Sequence, residues 1–206
     1  MEPARSSPKE VVLRDGTKVS LREIRPEDGP GLRESFSKLS ATSRHRRFFS
    51  GVSELTDDMV HYLTHVDGKN HVAIIATMES LDLKDERGVG VARFIRLKDH
   101  PTTAETAVTV IDDMQNRGLG SVLLRELSER AIACGIEKFR AEVLATNTPM
   151  KHLLEEVGAE LVEEVDGSLV YDVRISTDHD SALDRLFRAA ASQLTVFIRN
   201  LRPPEK

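Results

Sequence analysis

The 206-residue chain has a single cysteine, no tryptophan and two tyrosines. One thiol, Cys134, excludes an intramolecular disulfide and fits a reducing compartment. No apolar run approaches the roughly 20 residues that span a bilayer. The opening residues Met1 to Glu10 are polar and proline-bearing, without the apolar core of a signal peptide. A cytoplasmic protein with no membrane partner is therefore expected. Positive charge is not in excess either: 29 Lys and Arg stand against 34 Asp and Glu, a net −5. That balance argues against a nucleic-acid partner. Metal-ligand clusters are also missing. His61 and His65 stand four apart on an expected helix, but no third ligand lies near them in sequence, so a solvated helix face is expected and no metal.

What remains is ordinary for a globular domain, with 39% hydrophobic and 31% charged residues. Residues 1–10 are expected to be a flexible lead-in. Val11–Leu13 and Val19–Ile24 flank Asp15-Gly16, a hairpin signal. Helical spacing follows from Arg25 to Ser40, then over Ser43 to Phe49, then from Thr56, an N-cap candidate with Asp57 and Asp58 in the first turn. Arg44, His45, Arg46 and Arg47 form a basic cluster beside Phe48-Phe49, read as a solvated helix face or as a contact for a phosphate or an acidic protein. β-rich runs cover His71–Met78, Val89–Leu97, Glu105–Ile111 and Lys138–Ala145. Amphipathic helices are expected over Arg117–Cys134, closed by Gly135, and over Thr148–Val157, closed by Gly158. Glu160–Val165 and Ser168–Ile175 make a last hairpin around Asp166-Gly167. The order ββ-ααα-βββ-α-β-α-ββ predicts an α+β or mixed α/β fold rather than a doubly wound one, because strands cluster instead of alternating with helices.

The stretch from Ala104 to Ser121 carries most of the functional information. It reads as a strand, a glycine-containing turn and a helix start, a junction that points backbone N–H groups and a positive dipole end at an anion. Gln115-Asn-Arg-Gly-Leu-Gly120 is too short for a dinucleotide fingerprint and lacks the Lys-Ser/Thr ending of a triphosphate loop. Glu105 lies upstream on the strand. Period-two alternation puts Glu105, Ala107 and Thr109 on one face, where small neighbours leave room beside the carboxylate. An amine with an unperturbed pKa near 10.4 needs a base at neutral pH, and Glu105 is the candidate; the alternative is a solvent-facing strand glutamate.

Val108-x-Val110, then Gln-x-x-Gly-x-Gly, then a strand ending in Asn147 with a short helix and Gly158 beyond, resembles the acetyl-CoA motif of the GNAT N-acetyltransferase superfamily. Leu39-Ser-x-x-Ser43-x-x-x-Arg47-Phe-Phe49 is similar to the same region of bacterial protein-lysine acetyltransferase-type domains. The resemblance covers about residues 11–175. It implies a central, mostly antiparallel sheet with splayed strands flanked by helices, and acetyl-CoA as co-substrate. It further implies that the backbone of Val108, Thr109 and Val110 pairs with pantetheine, with a backbone N–H around Thr109–Val110 for the oxyanion. Gln115 begins the motif, and Asn116, Arg117, Gly118, Leu119, Gly120 and Ser121 hold the pyrophosphate, mostly through N–H groups. Asn147 touches the cofactor arm, Glu105 takes the base role, and the acceptor is a primary amine, a protein lysine being favoured. One position departs from the pattern. Many members carry a tyrosine in the short helix as general acid for the thiolate, and Leu154 stands there; Tyr171 is an alternative donor or a plain strand aromatic. Cys134, among small residues late in its helix, reads as a packing residue.

Two further readings stay open. The chain could be an acyl-CoA-binding regulatory module with little or no catalysis, which the missing tyrosine favours and Glu105 disfavours. The domain is expected over 11–177, and an amphipathic C-terminal helix and tail over 178–206, with Leu183, Leu186, Phe187, Ala190, Leu194, Phe197, Ile198 and Leu201 in one stripe. That stripe packs on the parent domain or forms a homodimer contact.

Overall fold

Alternating apolar residues and turn chemistry build the first hairpin. β1 (Lys9–Val12) pairs antiparallel with β2 (Lys18–Glu23). The turn between them is fixed by Gly16 at φ 85° and by the Asp15 carboxylate, which accepts from the Thr17 N–H at 3.0 Å. The computed structural model describes residues 7–37, 54–79 and 86–176. A 3₁₀ turn over Pro26–Asp28 leads into α1 (Gly29–Ser37), and the Arg25 N–H donates to the Asp28 carboxylate at 2.7 Å. α2 (Asp57–Thr64) starts at Thr56, whose hydroxyl accepts from the Met59 N–H as an N-cap. β3 (His71–Glu79), β4 (Glu86–Arg96) and β5 (Thr103–Val110) follow, then α3 (Leu119–Ala133), β6 (Lys138–Leu144), α4 (Thr148–Glu156), β7 (Glu160–Val165) and β8 (Ser168–Arg174).

The eight strands form one sheet in the order β1-β2-β3-β4-β5-β6-β8-β7. Every pairing is antiparallel except β5 with β6. Helices cover both faces, and β3 is buried over its first seven residues as a doubly covered strand should be. On one face α3 sets Leu119, Leu123, Leu124, Leu127 and Ala131 against Val72, Ile74, Phe94, Val108 and Phe139. On the other, Phe36 of α1 and Leu63 of α2 pack with Leu55 over Ala107. Gly90 lets α3 approach β4: a Cβ there would lie 2.9 Å from a Leu123 methyl.

Several boundaries differ from expectation. β1 begins at Lys9 rather than Val11, because Lys9 and Glu10 already pair with Leu21 and Ser20. β4 begins at Glu86 rather than Val89, because Glu86 and Arg87 extend the ladder to Glu79 and Met78. α3 starts at Leu119 rather than Arg117, because Gly118 takes the left-handed conformation at φ 86° and stands as the N-cap. The expected helix over Ser43–Phe49, its basic cluster and the C-terminal stripe lie outside the described residues.

Candidate active site

β5 and β6 pair only over Thr103–Lys138, Ala104–Phe139 and Glu105–Arg140. β5 continues to Val110 and β6 to Leu144 without further pairing between them. β6 stays attached to β8 over its full length, and β5 to β4. The sheet therefore opens into a V that begins just past Glu105. The Leu97 N–H donates to the Thr103 carbonyl and the Ile111 N–H to the Val89 carbonyl, both across β4 and β5. In an antiparallel ladder such hydrogen-bonded pairs recur every second residue. Glu105, Ala107 and Thr109 thus spend their main-chain groups on β4, while those of Thr106, Val108 and Val110 face the opening. This narrows the expected backbone set, because Thr109 turns its amide away from the V.

At the open end the chain crosses to α3. Gln115 closes the end of β5: its side-chain amide donates to the Val110 carbonyl at 3.1 Å and to the Asp112 carboxylate at 3.0 Å. Asn116 and Gly118 both have positive φ, 62° and 86°. Gly118 offers no side-chain cap, and the first intrahelical bond runs from the Val122 N–H to the Gly118 carbonyl at 3.2 Å. The N–H groups of Leu119, Gly120 and Ser121 precede that bond and have no acceptor within the helix. A Cβ on Gly120 would meet only a Val110 methyl at 4.0 Å, so the fold leaves space above this turn. The Arg117 guanidinium is drawn to Asp15 at 2.9 Å, tying the first hairpin to this loop. Across the V, the Asn147 side chain caps α4 by accepting from the Met150 N–H at 3.4 Å.

The closed end is charged. Glu105 is 9% exposed and faces α1 and α2 together with Ala107 and Thr109. Its register partner Arg140 makes a two-point pair with the buried Asp172, at 2.7 and 3.0 Å, and that bond raises the guanidinium's pKa. Tyr62 of α2 also lies here; burial raises its phenol, Arg93 opposes the rise and Glu105 adds to it. Arg140, Asp172 and Arg93 escaped sequence reasoning. A charge inside each of three β-rich runs was the available signal. Leu154 is fully buried in the main core, and Tyr171 is buried with it, its phenol raised first by burial and then by Glu155. Cys134 is half-buried at the end of α3, and its thiol points to the Gly68 carbonyl at 3.9 Å. His61 and His65 stack on each other, ring centroids 3.7 Å apart.

Residues 40–159 match the acetyltransferase (GNAT) family model. The chain belongs to the GNAT family. This GNAT chain is 32% identical over 169 residues to acetyltransferase Pat of Mycolicibacterium smegmatis, a match covering 82% of the chain and 49% of that protein. It is 31% identical over 147 residues to acetyltransferase PA5475 of Pseudomonas aeruginosa, covering 71% of the chain and 77% of the relative. The GNAT domain of S. lividans PAT superposes with a TM-score of 0.71 at 29% identity, over 82% of this chain and 97% of that domain. The chain spans about half the length of the mycobacterial relative. The GNAT family transfers acetyl groups from acetyl-CoA. Among the described residues no helix is long and apolar enough to cross a membrane.

Proposed function

We propose that this chain is an acetyl-CoA-dependent N-acetyltransferase that acetylates a primary amine, with a protein lysine as the favoured acceptor and Glu105 as general base. One observation carries the proposal: the V between β5 and β6 has an uncapped helix N-terminus at its open end and a buried carboxylate at its closed end. The pyrophosphate would lie on the N–H groups of Leu119, Gly120 and Ser121. The pantetheine arm, rich in amides, would run down the V along Val110 and Val108 and satisfy their outward-facing backbone groups. That path brings the thioester to the level of Glu105. Asn147, held as a cap, would keep its amide NH₂ for the coenzyme arm.

The amine arrives as an ammonium ion and transfers a proton to Glu105, directly or through water. Its neutral nitrogen attacks the thioester carbonyl and forms the N–C bond of a tetrahedral intermediate, whose collapse breaks the C–S bond while the nitrogen loses its second proton to solvent. The oxyanion of the tetrahedral intermediate would be held by the outward N–H of Val108 or Val110. Coenzyme A leaves as a thiolate and takes a proton from solvent. Leu154 has no proton to give, and Tyr171 belongs to the core. Protein lysine is supported by the resemblance of residues 39–49 to protein-lysine acetyltransferase-type domains. A cytoplasmic location fits the single cysteine.

A second reading, an acyl-CoA-binding regulatory module, is favoured by Leu154 alone. Acetyl-CoA turnover against a panel of lysine peptides and small amines separates the two. Thiol release that depends on added amine supports the enzyme; tight coenzyme binding with no amine-dependent release supports the module.

A further inference from the structure

A cavity of about 150 Å³ lies between α1 and strands β3 to β5. An apolar cavity of that size holds a body as large as benzene. Its walls are mainly apolar, with Leu32, Phe36, Leu55 and Ile75 among them, and Thr109 of β5 reaches it from the face that carries Glu105. Among the described residues its one basic lining residue is Arg93, which is 1% exposed. The two terminal NH₂ groups of Arg93 donate to the Leu63 carbonyl, both at 3.1 Å, at the C-terminal turn of α2. One of them also meets His71 Nε2 at 3.0 Å. Both partners are neutral, since burial and the charge of Arg93 hold His71 unprotonated. The Nε–H of Arg93 has no hydrogen-bond partner among the described residues.

Capping α2 therefore accounts for two of the three guanidinium nitrogens and leaves the third. A buried N–H without an acceptor is costly, and a buried charge without a counter-charge more so. An oxygen in the adjoining cavity relieves both, and an anionic oxygen relieves the charge as well. Of the three acidic residues in the described lining, Asp28 and Glu86 are already engaged by Arg22, at 2.7 and 3.0 Å. Glu27 is the lining carboxylate outside that network.

We propose that this cavity is a binding site for a small carboxylate with an aliphatic body of up to about six carbons, anchored through the Nε–H of Arg93. The carboxylate could belong to an amine acceptor or to a separate effector; the chemistry at Arg93 is the same. The site stands on the cavity and Arg93 alone and does not depend on acyl transfer.

Titration calorimetry of the full chain with hexanoate, hexanamide and hexylamine tests this. Hexanoate should bind about tenfold more tightly than hexylamine, the size of one charge-assisted hydrogen bond, with hexanamide between. Leu32→Trp, which fills the cavity and leaves Arg93 in place, should abolish hexanoate binding. Arg93→Met should erase the preference. If that variant does not fold, the Arg93 Nε–H resonance of the native chain should shift on adding hexanoate. Equal affinity for hexanoate and hexylamine, unchanged binding in Leu32→Trp, or an Nε–H resonance that does not move would each overturn the proposal. Inhibition of turnover by hexanoate that competes with the amine identifies the acceptor as the carboxylate's source; non-competitive inhibition identifies an effector. A chain that binds hexanoate but never releases thiol from acetyl-CoA keeps this site and loses the acetyltransferase reading.

Discussion

His71 carries a pH dependence that follows from its surroundings. Burial first, and then the charge of Arg93, lowers its pKa from 6.5 to about 4. The unfolded chain takes up a proton near pH 6.5 that the folded chain refuses until about pH 4. The stabilising contribution is therefore complete above pH 6.5 and is lost as the pH falls toward 4, by up to about 3 kcal/mol. His71→Gln keeps an acceptor for Arg93 and removes the titration. Urea unfolding at pH 7, 5.5 and 4.5 should show a shallower pH slope in the variant than in the native chain. Equal slopes would mean that His71 is not held neutral. At the same scale, Arg140 pairs with Asp172 on the strand position registered with Glu105, and if Glu105 is the base this pair should help position it. Asp172→Asn should lower kcat with little change in acetyl-CoA affinity, as stopped-flow binding and steady-state rates can separate.

Among the elements, the α3 N-terminus and the β4–α3 contact make opposite demands on glycine. Gly90 is needed by packing. Gly90→Ala should cost about 1–3 kcal/mol through overpacking against Leu123, read as a lower melting temperature. Gly120 is not needed by packing, since a Cβ there has only Val110 at 4.0 Å. Gly120→Ala should leave the melting temperature of the free protein unchanged or higher, while weakening coenzyme A binding about tenfold by crowding the pyrophosphate. A variant that binds coenzyme A as tightly as the native chain would show that the space above Gly120 is not the phosphate's. Legibility in the sequence also divides at this scale. The strand, glycine turn and helix of residues 103–133 follow from local chemistry, and so does the Thr56 cap. The two-residue shift of α3 does not, because it hangs on Gly118 rather than Gly120 taking positive φ. The direction of Thr109's main-chain groups was not legible for a similar reason: ladder parity is set by pairing with β4, which no local pattern encodes.

For the whole molecule, the order of elements was readable because turn signals and periodicity agreed along the chain, whereas the splayed, mostly antiparallel sheet came from the resemblance to the GNAT superfamily. The place where β5 and β6 part was not. It depends on long-range pairing of three residues with three others, 35 positions apart in register, as Glu105 with Arg140 shows. Arg93 was opaque for the same reason, since its partners come from α2 and β3. The assembled cleft predicts that coenzyme A stabilises the folded chain. At a ligand concentration 100 times its dissociation constant the gain is about 2.7 kcal/mol, visible as a concentration-dependent rise in melting temperature. An unmoved melting temperature would remove the cleft from consideration as a coenzyme site.

The central claim is that Glu105, at the closed end of the V, removes the proton of the acceptor amine. The most direct measurement is amine-dependent release of coenzyme A from acetyl-CoA at pH 7 by the native chain and by Glu105→Gln, with coenzyme A affinity measured in parallel. Glu105→Gln should lose about 100-fold or more in kcat/KM, partly recovered as the pH rises toward the pKa of the free amine, with unchanged coenzyme affinity. A variant that turns over at the native rate at pH 7 would contradict it.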